Sequence, residues 1–379
     1  MNPQTNLTSS KTKQWGQPPW SVDFRPPSRP LPDKVNLAVI GGGFTGLSTA
    51  AHLAKLAPSK DIALFEAEGI GAGSSGFTGG MTLAESAAGA LPELGDVLTG
   101  LSGIIRKLEI DCDFSLRGTW ELARSGRKSH SSLSWQDSGV LRVVGELPGG
   151  GVNPGKLVSG LARAAVRHGA VIHENARVED IRFDEPLVLT VNGKAVSANH
   201  VVVATNAESL ELNGLMGRAE PKFTLALMTG RLSQKRLWDL GLEPGRSFYT
   251  EDLPYLWGRT LPDDRIIFGS GLVSVANWRE LLTLDISQGE SATLMKRLER
   301  RVRRLHPQLR HVEVTHRWGG PILISKDWQP VFSRHPKSKN VLVLGAYSGH
   351  GVALSVYLGS WAAEVLTGGR ELPRWNSAS

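Results

Sequence analysis

Residues 35–46 read Val-Asn-Leu-Ala-Val-Ile-Gly-Gly-Gly-Phe-Thr-Gly, an apolar run that feeds Gly41-x-Gly43-x-x-Gly46, and a helical pattern follows from Phe44 to Ala57. A chain with this order must place a strand, a tight glycine turn and a helix in succession. Leu47, Ala50, Ala51 and Ala54 give that helix a small, apolar sheet-facing side, Pro58 stops it, and Asp61 to Phe65 reads as a second strand. Glu66 closes the second strand, 20 residues past Gly46. Gly41 permits the turn, Gly43 lets backbone approach a pyrophosphate, and Gly46 lets helix and strand pack closely. The helix N-terminus offers free N–H groups to phosphate, and Glu66 can accept hydrogen bonds from a ribose diol. The expectation is an adenine-dinucleotide site.

A redox cofactor narrows what the rest of the chain must supply. Cys112 is the single cysteine among 379 residues, which excludes an internal disulfide, cluster ligation and a paired-thiol centre. Redox chemistry then has to come from a bound group. Its neighbours Asp111 and Asp113 would raise the thiol pKa, so Cys112 is expected to be a structural strand residue. No apolar run is long enough to span a bilayer and the first thirty residues lack a signal-peptide core, so the expected location is cytoplasmic. His306 and His316 have no ligand spacing with other donors, and no metal site is expected.

The formal charge of +7 is concentrated: residues 296–310 hold seven basic residues and one acid. Leu294, Leu298, Val302 and Leu305 recur there at helical spacing, describing an amphipathic helix with a basic outer face. Such a face is either solvated or a contact for RNA or an acidic partner; no nucleic-acid partner is expected.

Residues 1–33 are polar and proline-rich and read as an irregular arm, with Trp15 and Trp20 as anchors that pack it onto the body. Gly69 to Gly80 contains six glycines in twelve residues, a sign of close backbone approach. Leu91 to Glu109 reads as helix and Phe114 to Ala123 as strand. Asn153-Pro154 opens another helix. Leu187 to Val191 and Val196 to Ala198 form a hairpin on Asn192-Gly193, and Val201 to Thr205 is a buried strand. The C-terminal part repeats the opening pattern, with Val341 to Gly345 as strand, a glycine loop through Gly349, His350 and Gly351, then a helix from Val352 to Leu366. The expected fold is α/β, a discontinuous Rossmann-like dinucleotide-binding domain (34–85, 150–220 and 315–372) with a second α+β domain (86–149 and 221–314) on a mostly antiparallel sheet.

The opening fingerprint, the loop at 71–80, the strand at 201–205 and the loop at 345–351 together resemble the FAD-dependent D-amino-acid oxidase superfamily, over about Val35 to Leu366. The branch it is most similar to holds glycine oxidase, sarcosine oxidase and gamma-glutamylputrescine oxidoreductase. The resemblance implies FAD, with Gly41, Gly43, Phe44, Thr45 and Gly46 at the pyrophosphate, Glu66 and Ala67 at the ribose, and Val178 near the adenine. It further implies Ala204 and Thr205 among the cofactor-binding residues, Ser74, Ser75 and Gly76 beside the isoalloxazine, and Gly349, His350, Gly351 and Val352 at its pyrimidine edge. There the helix N-terminus would stabilise charge gained on reduction. Relatives attach FAD covalently through a cysteine near the C-terminal loop or a histidine in the early loop; positions 74–80 have no histidine and Cys112 lies elsewhere, so FAD is expected to be non-covalent.

Other residues depart from the family. Ile322 stands where amino-acid oxidases place an arginine for the substrate carboxylate, which favours an amine or modified amino acid. Tyr255, Trp257 and Arg259 share one strand face and are the candidates for holding the substrate, against the alternative of core aromatics and a surface arginine. Ile266-Ile267-Phe268 lacks the lysine with which sarcosine oxidase-like enzymes help oxygen react, leaving O2 or another electron acceptor open. His350 is either a base or a loop spacer. The activity implied is oxidation of the C–N bond of a small amine or amino acid, with hydride passing to flavin N5 and an imine left to hydrolyse. Two alternatives remain: an FAD-containing assembly or scaffold protein, and a tRNA-modifying flavoenzyme using the basic helix.

Overall fold

The computed structural model describes residues 13–124, 131–251, 253 and 255–376, so residues 1–12 of the expected arm lie outside the described residues. Two large sheets carry the chain, each with eight described strands. In the first, Ser338–Gly345, Lys194–Val203, Lys34–Ile40, Ile62–Phe65 and Val171–His173 run parallel in that spatial order. Val331–His335 adds an antiparallel edge. Leu187–Val191 and Val178–Arg182 branch antiparallel from Lys194–Val203. Asn192 and Gly193 both have positive φ, the backbone a two-residue hairpin turn requires.

Both faces of this sheet are covered, which is why its strands are apolar on both sides. In Lys34–Ile40, Ala38 and Ile40 enter one core while Leu37 and Val39 enter the other. The helices Phe44–Leu56 and Gly351–Leu366 lie against each other. Ser48 Oγ donates to Val356 O at 2.7 Å and Thr49 Oγ1 to Gly359 O at 3.0 Å, so hydroxyls close the joint where Gly359 removes a side chain.

The second sheet orders Val314–Ser325, Ala219–Thr229, Ile266–Ser274, Leu256–Thr260, Ser247–Thr250, Thr119–Ala123, Val140–Leu147 and Trp135–Gln136. Every neighbouring pair is antiparallel except Ser247–Thr250 with Thr119–Ala123. The helix Gly289–Leu305 buries Met295, Leu298, Val302 and Leu305 against this sheet, while Leu294 is only partly covered.

Several stretches sit otherwise than the sequence division places them. Val314–Ser325, grouped by sequence with the dinucleotide-binding part from 315, is hydrogen-bonded along Ala219–Thr229, with Trp318 opposite Ala226. Within 86–149, the helix Val97–Lys107 packs on Gly351–Leu366 and shares its core through Leu101 and Ile104. That helix begins only after Asp96, whose carboxylate accepts from Thr99 N–H at 2.9 Å, six residues later than Leu91. The strand expected from Phe114 is confined to Thr119–Ala123, because Gly118 adopts φ +87° just before it. The stretches 196–198 and 201–205 form one strand, Lys194–Val203, whose backbone continues through the polar Asn199 and His200. Cys112 is a buried loop residue, not a strand residue; burial pushes its thiol up to about 12 and the two flanking aspartates add to this.

Candidate active site

A cavity of about 930 Å³ lies between the two sheets. Its floor follows from the strand-turn-helix unit. Gly41 takes φ +108° and runs so close to Ala204 that a Cβ there would meet its carbonyl at 2.7 Å. The chain then rises into the helix Phe44–Leu56, whose first N–H groups have no intrahelical acceptor. Phe44 N–H donates to Ser75 Oγ at 2.9 Å, and Gly42 N–H donates to Glu66 Oε2 at 2.7 Å. Thr45 Oγ1 and the Tyr347 hydroxyl are 2.7 Å apart, joining the first glycine turn to the last.

Gly41, Gly43, Phe44, Thr45, Glu66, Ala67, Ser74, Ser75, Val178, Ala204 and Thr205 line one part of the cavity; Gly349, His350, Gly351, Val352, Tyr255 and Trp257 line another. Three expected residues lie behind the wall. Gly46 is a packing position: a Cβ there would stand 2.0 Å from Gly41 O. Gly76 holds the Gly-rich loop, its N–H reaching Gly71 O at 3.1 Å. Arg259 is the larger correction. The residue is 6% exposed and its guanidinium is spent on backbone, Nε donating to Gly79 O at 2.7 Å and Nη2 to Val152 O at 2.6 Å. Burial lowers its pKa to about 10, which leaves it charged at neutral pH. It braces the glycine-rich segments instead of facing a substrate.

Glu66 is bound by two N–H groups, from Gly42 and from Glu68 at 2.9 Å, so its carboxylate is held in a fixed orientation. Burial nevertheless pushes its pKa up to about 7, the two N–H donors opposing without cancelling. The folded chain therefore holds this proton more tightly than the unfolded one. The contribution is full below the ordinary value of 4.5 and is lost as pH rises through about 7. Melting of the FAD-free protein at about pH 5 and about pH 8 should show a larger loss in wild type than in Glu66→Gln. Equal losses would show that Glu66 is already ionised at the lower pH.

His350 lines the cavity with its Nδ1 3.4 Å from Ser348 O, and burial lowers its pKa, so the ring is neutral. The helix Gly351–Leu366 begins there without a side-chain cap. Tyr249, Trp318 and Tyr347 also line the cavity, and sequence reasoning missed them as site residues. Tyr347 and Trp318 lie inside recognisable motifs; Tyr249 carries no local signal. Among the described residues no cluster of His, Cys, Asp and Glu could hold a metal ion.

A glycine turn aimed at a helix N-terminus, an oriented acid at the next strand and a second glycine loop on the same cavity are the parts an FAD molecule needs. A Cβ at Gly43 would meet only Ser75 side-chain atoms, at 2.9 Å for Oγ, so the backbone here is open to a phosphate. The model of the DAO family, described as FAD dependent oxidoreductase, matches residues 36–365. The chain belongs to this family. FAD is its cofactor, and it is an oxidoreductase. Gamma-glutamylputrescine oxidoreductase of Escherichia coli (strain K12) is 29% identical over 389 residues, covering 89% of this chain and 84% of that protein. Glycine oxidase of Bacillus subtilis (strain 168) is 25% identical, covering 86% of this chain and 92% of the relative. Among solved structures, glycine oxidase from Geobacillus kaustophilus superposes with a TM-score of 0.70 at 20% identity, covering 90% of this chain and 96% of the other. L-amino acid deaminase from Proteus myxofaciens gives 0.71 at 16% identity, covering 92% and 94%.

Proposed function

We propose that this oxidoreductase oxidises the C–N bond of an amine that carries no carboxylate beside its nitrogen. FAD, when bound, would supply the hydride acceptor at N5, and the imine product would be open to hydrolysis. The observation that carries this reading is the charge of the cavity wall. Among the described residues, its charged lining groups are Glu66, Arg177, Glu208 and Glu251, and no lysine lines it. The wall formed by Tyr249, Tyr255, Trp257, Leu272 and Ile322 is aromatic or aliphatic, and Arg259 is committed to Gly79 and Val152. A carboxylate desolvated against that wall would lack a cationic partner, whereas an apolar amine would not require one.

Tyr249 is suited to the nitrogen. Its hydroxyl donates to Glu121 Oε1 at 2.7 Å, which leaves the oxygen lone pairs as acceptors for an amine N–H. Tyr255 and Trp257 would hold the carbon skeleton, with positioning supplying most of the rate. The named substrates of the relatives bracket the choice, one an amine, gamma-glutamylputrescine, and the other an amino acid, glycine. FAD is held without a covalent bond in this reading, because Cys112 is not among the lining residues.

The basic helix does not favour the RNA reading. Arg301 is paired with Asp137, its Nε 3.0 Å from Oδ1, and Arg303 and Arg317 share Glu299 at 2.8 and 2.7 Å. No helix among the described residues is long and apolar enough to cross a membrane.

The test is anaerobic mixing of the yellow protein with benzylamine, putrescine, glycine and D-alanine while flavin absorbance is followed. Amines should bleach it and glycine should not; bleaching by glycine alone would overturn the reading. Air admitted afterwards should restore the colour slowly compared with an artificial acceptor. A cation beside the flavin is what stabilises oxygen as it gains negative charge, and among the described residues no lysine lines this cavity.

A further inference from the structure

We propose that the segment Lys13–Trp20 is part of the FAD site, and that Lys13 is a positioning residue for the cofactor, acting through Glu208, Glu68 and the glycine-rich loop. Lys13 Nζ is 3.0 Å from Glu208 Oε1, 3.0 Å from Glu68 Oε1 and 3.3 Å from Ala72 O. Its side chain is 9% exposed, and Nζ lies 4.5 Å from the Trp15 ring. These partners belong to the cofactor end of the cavity. Glu208 lines it, Glu68 donates its N–H to the carboxylate of Glu66, and Ala72 opens the turn that presents Ser74 and Ser75.

Electrostatics gives this lysine its purpose. FAD brings a doubly charged pyrophosphate to a region that already holds the carboxylates of Glu68 and Glu208. Like charges brought together there repel one another. One ammonium set between Glu68 and Glu208 offsets part of that repulsion while fixing both carboxylates. Arg177 is the only cation among the described residues that line the cavity itself. Lys13 is therefore the nearby cation that the linear fingerprint does not contain.

The rest of the segment keeps Lys13 in place and joins the glycine-rich loop to the second sheet. Trp15 is fully buried, its indole N–H donating to Leu281 O at 2.7 Å and its carbonyl accepting from Gly319 N–H at 2.8 Å. Its ring meets Phe77 edge-on at 5.2 Å. Trp20 donates its indole N–H to Gly76 O at 2.7 Å and packs edge-on against Trp318 at 5.7 Å. The segment thus grips the glycine-rich loop at Ala72 and at Gly76, on either side of Ser74 and Ser75. Holding a glycine-rich loop in its bound shape before the ligand arrives lowers the ordering cost of binding.

FAD-free protein should be titrated with FAD and the Kd read from flavin fluorescence for wild type, Lys13→Met, Lys13→Arg and Trp20→Phe. Removing one charge-assisted anchor of about 1.5–3 kcal/mol corresponds to roughly tenfold or more in Kd for Lys13→Met. Lys13→Arg should recover most of the affinity, which a merely structural lysine would not require. Trp20→Phe keeps the ring but loses the bond to Gly76, and should weaken FAD several-fold with little change in melting of the FAD-free form. It also decides the matter if Lys13→Met does not fold. Wild-type affinity in both Lys13→Met and Trp20→Phe would overturn the proposal. A wild-type chain that takes up no FAD would instead overturn the cofactor assignment, and the proposal with it.

Discussion

Arg259→Met should lower the stability of the protein by about 2–5 kcal/mol and release FAD, instead of raising KM alone. The guanidinium sits under the cavity with donors on Gly79 O and Val152 O, and those two carbonyls belong to different parts of the chain. Space around it is closed. A Cβ on Gly80 would meet Nη2 at 2.8 Å, and one on Gly151 would meet Nη1 at 2.7 Å. Methionine matches the length but donates nothing, so two buried acceptors lose their partner at about 1–3 kcal/mol each. Some of this is offset, because a charge whose pKa burial has already lowered to about 10 no longer has to be desolvated. The orphaned carbonyls outweigh that relief, since the glycine-rich backbone they sit on has few other restraints. Thermal melting with and without added FAD checks the outcome. An unchanged melting temperature with a raised KM would return Arg259 to the substrate.

That residue also shows where reading by sequence stops. Period-two alternation places Tyr255, Trp257 and Arg259 on one strand face; the strand itself is Leu256–Thr260, so Trp257 and Arg259 lie on it and Tyr255 precedes it. It does not say how far along that face the cavity extends, and Gly79–Gly80 with Gly149–Gly151 cover the strand before Arg259 is reached. The dinucleotide unit was legible because its turn, helix and acid are local, each set by backbone geometry within about thirty residues. The hairpin on Asn192-Gly193 was legible for the same reason. Lys13 was not, because its partners lie at Glu68, Ala72 and Glu208 and no periodicity connects an irregular arm to them. The segment from 315 was grouped with the dinucleotide-binding part, while Val314–Ser325 pairs with Ala219–Thr229, because strand partners are non-local and an apolar stretch does not name the strand it pairs with. Asn199 and His200 broke the apolar pattern of a continuous strand, since hydropathy reports side chains and the ladder is made by backbone.

The second large effect separates two glycines that the motif treats alike. Gly46→Ala should destabilise the protein with or without FAD, whereas Gly43→Ala should leave the FAD-free fold intact and weaken FAD. At Gly46 the added methyl would stand 2.0 Å from the carbonyl oxygen of Gly41 and 3.2 Å from Val39. Backbone has to move, and it is the backbone that joins the central strand to the helix Phe44–Leu56. The cost of such overpacking is about 1–3 kcal/mol or more, and it falls on the fold. At Gly43, φ is −85°, which alanine adopts freely, and the contact is with Ser75 Oγ at 2.9 Å, the end of a side chain that can turn away. The methyl would then occupy the space through which the pyrophosphate approaches the helix N-terminus. A clash of about 1–3 kcal/mol confined to the complex corresponds to roughly 5- to 150-fold in Kd. Melting of the FAD-free forms and FAD titration read the two effects separately. A Gly43→Ala protein with wild-type FAD affinity would mean that the phosphates do not pass over this turn, and would move the cofactor away from the helix Phe44–Leu56.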